Sequence, residues 1–142
     1  GMDGIILPDV PYEEKADFAP ACERYGLDFI SLIAPTSKER IAMIAKEASG
    51  FLYCVSSTGV TGMRKEFTTD FDAFFHTIRQ SAHIPCAVGF GLSGPEQAKA
   101  ISAYCDGVIV GSAIVKLVAE SGKDCVEPVG HFTASLRKAL DS

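Results

Sequence analysis

The stretch Phe51-Leu52-Tyr53-Cys54-Val55 is followed at once by Ser56-Ser57-Thr58-Gly59-Val60-Thr61-Gly62. This pattern, an apolar run typical of a β-strand and then a turn containing glycine, occurs twice more: residues 84–88 precede Gly89-Phe90-Gly91, and residues 107–110 precede Gly111-Ser112. Because glycine lets the backbone approach a ligand closely and a helix N-terminus adds positive potential, three such turns can direct backbone N–H groups at one anion. A barrel of alternating strands and helices holds phosphate in this way, with the loops after its last strands.

The rest of the chain repeats the order strand, turn, helix. Two segments, Thr36-Ser37-Lys38-Glu39 and Ser93-Gly94-Pro95-Glu96, have the pattern of a capping box at a helix start. Pro20 predicts a kink or a split in the helix that contains it. The long polar loop over residues 56–68 has the length typical of a functional lid. Strands are predicted at residues 4–7, 28–33, 51–55, 84–88 and 106–110, and helices at 12–25, 37–48, 70–81, from 93 onward, 113–120 and 127–140.

Five β/α units follow from this alternation, with right-handed crossovers and a parallel sheet buried on both faces. The 142 residues favour a single domain over residues 1–142. A closed barrel of eight strands needs about 250 residues. The length therefore leaves two alternatives, which are a complete open sheet of five strands and a piece of a barrel.

Composition excludes several kinds of function. The net charge is −5 and no basic patch with interleaved aromatic residues is present, so a nucleic-acid partner is not expected. No apolar run reaches the length of a membrane span, and 47% of the residues are hydrophobic, which predicts a packed core. The odd number of cysteines without a C-x-x-C pair predicts free thiols and a cytoplasmic protein. These cysteines are Cys22, Cys54, Cys86, Cys105 and Cys125.

Four motifs decide between the two folds. Asp3-Gly4-Ile5-Ile6-Leu7-Pro8-Asp9-Val10-Pro11-Tyr12-Glu13-Glu14 closely resembles the fourth-strand signature of the tryptophan synthase alpha chain family. Tyr53 with Gly59-Val60-Thr61-Gly62 is similar to the sixth-strand loop of that family. Gly89-Phe90-Gly91 with Gln97, and the segment 107–116, resemble its seventh and eighth strands. The motifs follow the family order over nearly the whole chain, so the resemblance implies strands four to eight of a (β/α)8 barrel.

The resemblance also implies an activity. The family cleaves indole-3-glycerol phosphate to indole and glyceraldehyde 3-phosphate by a retro-aldol step in tryptophan biosynthesis. Its catalytic glutamate and aspartate lie on the second strand and on the loop after it, and no segment of this sequence matches them. Asp9, Glu13, Glu14 and Asp28 do not match those positions, so no catalytic residue is assigned. No cofactor or metal is expected, because pyridoxal phosphate belongs to the β subunit of the family.

The binding residues carry over by resemblance. Each assignment given below has an alternative explanation. Gly91 and Gly111 could serve close helix–strand packing, and the residues assigned to the indole pocket could occupy ordinary core or loop positions. Asp9 could cap the turn and Pro11 could stiffen it. The phosphate is expected at Gly62, Phe90, Gly91, Gly111 and Ser112; the indole pocket at Ile6, Leu32, Tyr53 and Thr61; and the active-site rim or β-subunit contact at Asp9 and Pro11.

The expected partners are the β subunit, indole-3-glycerol phosphate and glyceraldehyde 3-phosphate. Five strands without the rest of a barrel leave two strand edges open, and open edges pair with other chains. We therefore expect self-association, pairing with an N-terminal half, or an open sheet. Two other functions remain as alternatives: another phosphate-binding barrel enzyme, such as an indole-glycerol-phosphate synthase or a phosphoribosylanthranilate isomerase, and a non-catalytic half-barrel.

Overall fold

The computed structural model describes residues 1–55, 71–89 and 91–142. In this part of the chain six strands alternate with helices. The strands are β1 (Gly4–Ile6), β2 (Asp28–Ile30), β3 (Leu32–Ile33), β4 (Leu52–Val55), β5 (Cys86–Gly89) and β6 (Gly107–Val108). The α-helices are α1 (Ala19–Arg24), α2 (Lys38–Lys46), α3 (Phe71–Ser81), α4 (Pro95–Ser102), α5 (Ser112–Ser121) and α6 (Val126–Leu140), with 3-10 helices at Tyr12–Asp17 and Gly122–Asp124.

The strands form two parallel sheets, ordered β1-β2 and β3-β4-β5-β6. The sequence predicts one strand over residues 28–33, whereas the structure divides it at Ser31. Ile30 pairs with Ile6 of β1, and Leu32 pairs with Tyr53 of β4. Ser31 is the residue at which the pairing partner changes, and its carbonyl accepts a 3.0 Å hydrogen bond from the Tyr53 N–H.

The core lies between the four-stranded sheet and helices α2, α3 and α4. Leu52, Cys54 and Val88 on this face are fully buried. The alternate residues of the same strands, such as Tyr53 and Ala87, are only half-buried. This differs from the predicted sheet buried on both faces. In the closed barrel that the resemblance implies, inward side chains would pack against strands of the opposite wall, and half a barrel would leave this face without them.

The structure corrects both predicted helix starts by one residue. Ser37, not Thr36, caps α2, because its hydroxyl accepts a 3.3 Å hydrogen bond from the Arg40 N–H. Gly94, and not Ser93, directly precedes α4. Ser93 forms hydrogen bonds with Gln97 instead of Glu96. Both the N–H and the hydroxyl of Ser93 lie 2.9 Å from the Gln97 side-chain oxygen. The capping-box pattern therefore predicted each helix start to within one residue, but it did not predict which side chains form the hydrogen bonds there.

Other predicted elements are confirmed. The segment predicted as a helix over 12–25 is split at Phe18, and Pro20 stands in the first turn of α1, where a missing N–H costs little. Helix α3 buries Phe74, Phe75 and Ile78 on one face. The sequence did not predict that Tyr104 joins this face, with its ring centroid 6.1 Å from that of Phe75.

The two outer strands keep open edges. Among the described residues, β1 pairs with β2 alone and β6 pairs with β5 alone. The expectation of an unclosed sheet is confirmed for this part of the chain.

Candidate functional site

The carboxyl ends of β4, β5 and β6 meet at one edge of the sheet because all three strands are parallel. Val55 pairs with Gly89, and Val88 pairs with Val108. The carboxyl ends of β5 and β6 are therefore neighbours at this edge. Three of the predicted site residues, Thr61, Gly62 and Phe90, lie outside the described residues.

Gly91 is held in a conformation that favours glycine. Its φ is +78°, in the left-handed region where a side chain is strained. Leu92, the next residue, is buried in the core. The backbone conformation, and not helix–strand packing alone, therefore explains glycine at this position.

Gly111 and Ser112 form the exposed start of α5. A Cβ built on Gly111 meets no atom within 4 Å, so close packing does not explain this glycine. The first N–H groups of a helix have no partner within the helix and carry the positive end of its dipole. Ser112 begins a helix of ten residues, and its N–H and hydroxyl stand at that end. This site can accept an anion by backbone donors.

Tyr53 lies against Gly89 on the half-buried face. A Cβ on Gly89 would stand 2.2 Å from the Tyr53 hydroxyl oxygen and 2.6 Å from two ring carbons. Burial raises the pKa of the Tyr53 hydroxyl. The sequence placed Tyr53 beside the site, but it did not show that the first glycine of Gly89-Phe90-Gly91 makes room for the tyrosine ring.

The two predicted apolar pocket residues differ in their position. Leu32 is half-buried and pairs directly with Tyr53, so these two side chains are neighbours on the same face. Ile6 ends β1 in the other sheet and is 39% exposed. The structure therefore brings Leu32 and Tyr53 together, while Ile6 lies at the open side of the two-stranded sheet.

Asp9 and Pro11 lie in the turn that follows β1. The Val10 N–H donates to the Leu7 carbonyl at 3.2 Å, which closes the turn. Within the described residues the Asp9 carboxylate makes no hydrogen bond, so the turn-capping alternative gains no support. Pro11 precedes the 3-10 helix with φ −68°. Both side chains are exposed and accessible to a partner.

The cysteines form no disulfide. All five are free, and Cys22, Cys54 and Cys86 are buried. A hydrogen bond with Cys86 and burial raise the pKa of Cys54, and burial raises the pKa of Cys105 to about 11. A thiol with a raised pKa is a poor nucleophile and a poor metal ligand. Over residues 1–55, 71–89 and 91–142, no three His, Cys, Asp or Glu side chains are grouped as a metal site requires.

No helix in the described ranges has both the length and the apolar character that a membrane span requires.

Parallel strands joined by crossover helices define this chain as an α/β protein. The family model of the tryptophan synthase alpha chain matches residues 1–140. The chain belongs to the tryptophan synthase alpha chain family and corresponds to a C-terminal portion of it.

Relatives and solved structures agree with this assignment. The tryptophan synthase alpha chain of Lacticaseibacillus casei is 47% identical over 139 residues, covering 98% of this chain and 52% of the relative. That of Thermoanaerobacter sp. (strain X514) is 44% identical over 142 residues, covering 99% and 54%. The crystal structure of the alpha chain from Legionella pneumophila subsp. pneumophila has a TM-score of 0.81 at 34% identity, covering 99% and 53%. A structure of the tryptophan synthase α2β2 complex from Pyrococcus furiosus has a TM-score of 0.82 at 32% identity, covering 96% and 56%.

The chain spans about half the length of the curated relatives it matches.

Proposed function

We propose that this chain supplies the phosphate- and indole-binding half of a tryptophan synthase alpha-type lyase. The reaction is the cleavage of indole-3-glycerol phosphate to indole and glyceraldehyde 3-phosphate, in a cytoplasmic pathway of tryptophan biosynthesis. The observation that carries the proposal is that β5 and β6, which lead to Gly91 and to the start of α5, are adjacent parallel strands with their carboxyl ends at one edge of the sheet. Family membership supports the choice of substrate.

The phosphate is held by backbone N–H groups in this proposal. The chain carries a net charge of −5, so an anion is not attracted by the overall field. Local donors must therefore bind it, and the Ser112 N–H at the positive end of α5 is suited to a phosphate dianion. Gly62, Phe90, Gly91 and Gly111 complete the proposed cradle, and Thr61 orders the lid.

The apolar part of the substrate lies along the half-buried face of the sheet. Leu32 and Tyr53 are adjacent there and offer an apolar surface to an indole ring. Ile6 lies at the end of β1 and contributes from the neighbouring sheet. We propose this face as the indole pocket because it leads to the strand ends where the phosphate binds.

Acid and base groups come from outside these 142 residues in the proposal. Retro-aldol cleavage needs positioned groups that move protons at indole and at the glycerol hydroxyl. The residues that match the family positions for these groups are absent from the sequence. We therefore propose that the chain alone binds phosphate but does not release indole. It uses no cofactor of its own, and pyridoxal phosphate acts on the β subunit.

Two kinds of protein partner follow. The solved α2β2 complex from Pyrococcus furiosus supports a β subunit as partner, with Asp9 and Pro11 at the contact. The open edge of β6 and the exposed Val115 and Val118 of α5, 67% and 43% exposed, support pairing with an N-terminal half or a second copy. In the second candidate function, the chain is a non-catalytic half-barrel that only self-associates.

Calorimetric titration with sn-glycerol 3-phosphate tests the proposal, with glycerol as the control ligand. The proposal predicts saturable binding of the phosphate ester and none of glycerol. Ser112→Pro removes the Ser112 N–H and hydroxyl while leaving a residue that is tolerated at the first helical position, so it should weaken binding. Equal heats for both ligands would favour the non-catalytic half-barrel.

A further inference from the structure

The turn after β1 belongs to a sheet that shares no strand pairing with the four-stranded sheet in the described part of the chain. The two sheets are joined in sequence at Ser31, where the pairing partner changes. Residues 7–11 form this turn and lead into the 3-10 helix Tyr12–Asp17. One continuous stretch of strand through Ser31, whose carbonyl bonds to the Tyr53 N–H, therefore links β1 to β4. Residues 7–11 lie beyond the paired part of β1 and have no strand pairing of their own in the described part of the chain.

An ion pair joins the 3-10 helix to the first turn of α2. Arg40 Nη1 lies 2.5 Å from Glu13 Oε1, and Nη2 lies 3.1 Å from Oε2. These two parallel hydrogen bonds match the planar fork of a guanidinium to a carboxylate. The pair therefore fixes an orientation as well as a distance, although both side chains reach solvent.

A second set of contacts lies at the other end of α2. Glu47 follows this helix directly, and its carbonyl accepts a 3.0 Å hydrogen bond from Lys15 Nζ. A hydrogen bond to the Glu47 carboxylate, burial and the nearby negative charges raise the pKa of the Tyr12 hydroxyl. The 3-10 helix is thus attached to both ends of α2, and α2 packs on the four-stranded sheet.

A small cavity of about 20 Å³ lies beside the turn. Its lining includes Leu7, Val10 and Pro11 of the turn, and Ser31, Leu32 and Ile44 from the strand segment and α2. Where a cavity lies, side chains lack close apolar contacts, so the polar contacts of the 3-10 helix add to what holds the turn.

We propose that Glu13, Arg40 and Glu47 form a clamp that positions residues 7–11 over the strand ends of the four-stranded sheet. These three are positioning residues, which act through the turn that carries Asp9 and Pro11. The functional meaning of the clamp rests on the proposed function, in which this turn is the rim of the active site and the β-subunit contact. Whether these residues hold the turn in place can be tested in the absence of substrate.

Amide hydrogen exchange of the complete chain tests the proposal. The Val10 N–H, which bonds to the Leu7 carbonyl, reports on the turn, and the Tyr53 N–H reports on the sheet. Arg40→Gln and Glu13→Gln should each speed exchange at Val10 about two- to fivefold, as expected for one exposed ion pair, with Tyr53 unchanged. Arg137→Gln is the matched control, because Arg137 makes a similar exposed pair with Asp141 in α6.

The double variant Glu13→Gln/Arg40→Gln distinguishes a clamp from a general loss of stability. If the pair acts as a unit, Val10 exchanges no faster in the double variant than in either single variant. Unchanged exchange at Val10 in Arg40→Gln overturns the proposal. So does a parallel increase at Tyr53, an equal effect of Arg137→Gln, or additive effects of the two single changes.

A separate arm keeps the clamp and the proposed function distinct. Arg40→Gln should leave the affinity for sn-glycerol 3-phosphate unchanged, because Arg40 forms its hydrogen bonds with Ser37 and Glu13, which are not among the proposed phosphate-binding residues. If the unaltered chain fails to bind this ligand, the proposed function fails while the exchange result still stands.

Discussion

At the scale of single residues, three glycines of the proposed site differ in their surroundings and backbone conformation. Gly89 leaves space for the Tyr53 ring, and Gly91 adopts a left-handed conformation. Gly111 has open space around it, and we propose that glycine stands there because it leaves access for a ligand. The sequence grouped these glycines by their place after strands, but their separate roles depend on contacts and dihedral angles that the sequence does not contain.

Gly89→Ala should destabilise the chain by about 1–3 kcal/mol, the usual cost of overpacking. The new methyl group would overlap the Tyr53 ring. Gly107→Ala is the matched control in the next strand, because its Cβ would meet Ala87 at an ordinary 3.6 Å. Urea unfolding measures both variants. Equal midpoints for the two would contradict the contact between Tyr53 and Gly89.

Gly91→Ala should cost roughly 1–2 kcal/mol of stability, because the left-handed region strains a side chain. It should also weaken the binding of sn-glycerol 3-phosphate. Gly94→Ala is the control, since Gly94 has an extended backbone and open space around it. Calorimetric titration and unfolding curves measure the two effects. A Gly91→Ala chain that is as stable as Gly94→Ala would show that the left-handed conformation is not retained in solution.

At the scale of secondary structure, the loop after β1 depends on its contacts with α2. The Glu13–Arg40 pair gives this connection a pH dependence. A hydrogen bond from Arg40 lowers the pKa of Glu13 from 4.5 to about 2. A carboxylate whose pKa is lowered by folding adds stability above its unfolded pKa and loses it as the pH falls through the folded pKa. The contribution is therefore complete above pH 4.5 and disappears towards pH 2.

Thermal unfolding of the unaltered chain and of Glu13→Gln checks this prediction. The unaltered chain should melt at a higher temperature at pH 6, and the difference should shrink as the pH falls below 4.5 because Glu13 becomes protonated. Asp141→Asn, which alters the exposed pair with Arg137, is the control for a general effect of removing a carboxylate. A difference that stays constant from pH 6 to about pH 2 would contradict the lowered pKa.

Most elements were predictable from the sequence, because apolar runs and helical periodicity are local signals. The break at Ser31 was not, since one serine inside a mainly apolar segment does not end a strand, and the change of partner depends on strands that are distant in sequence. Ser37 caps α2 instead of Thr36, and Gln97 bonds to Ser93 instead of Glu96, because two adjacent residues in each segment can satisfy the same capping pattern. The strand pattern placed Asp9 at a strand end, and the family resemblance placed Leu32 in the pocket, whereas the ion pair of Glu13 with Arg40 had no sequence signal.

At the scale of the whole molecule, residues 1–55, 71–89 and 91–142 present a half-buried sheet face and two strand edges without a partner among these residues. Val115 and Val118 lie one helical turn apart on α5, next to the β6 edge in sequence, and both are exposed. Burial of such a stripe by another chain would remove apolar surface from water. This arrangement favours association over a stable monomer.

Val115→Lys/Val118→Lys should therefore weaken association, because two charges would have to be buried or displaced at the contact. Met43→Lys on α2 is the matched control, since Met43 has a similar exposed fraction to that of Val118. Light scattering of the chain alone, and of the chain mixed with an N-terminal half, measures the effect. Equal association of the two variants would exclude the α5 surface as the contact.

Indole release from indole-3-glycerol phosphate tests the central claim most directly. It is measured for the chain alone and for the chain mixed with the N-terminal half of an alpha chain of this family. We expect no release by the chain alone and release by the mixture, because in the proposed function the acid and base groups come from outside these 142 residues. Release by the chain alone would refute this proposal and would place a proton-transfer group among Asp9, Glu13 and Glu14.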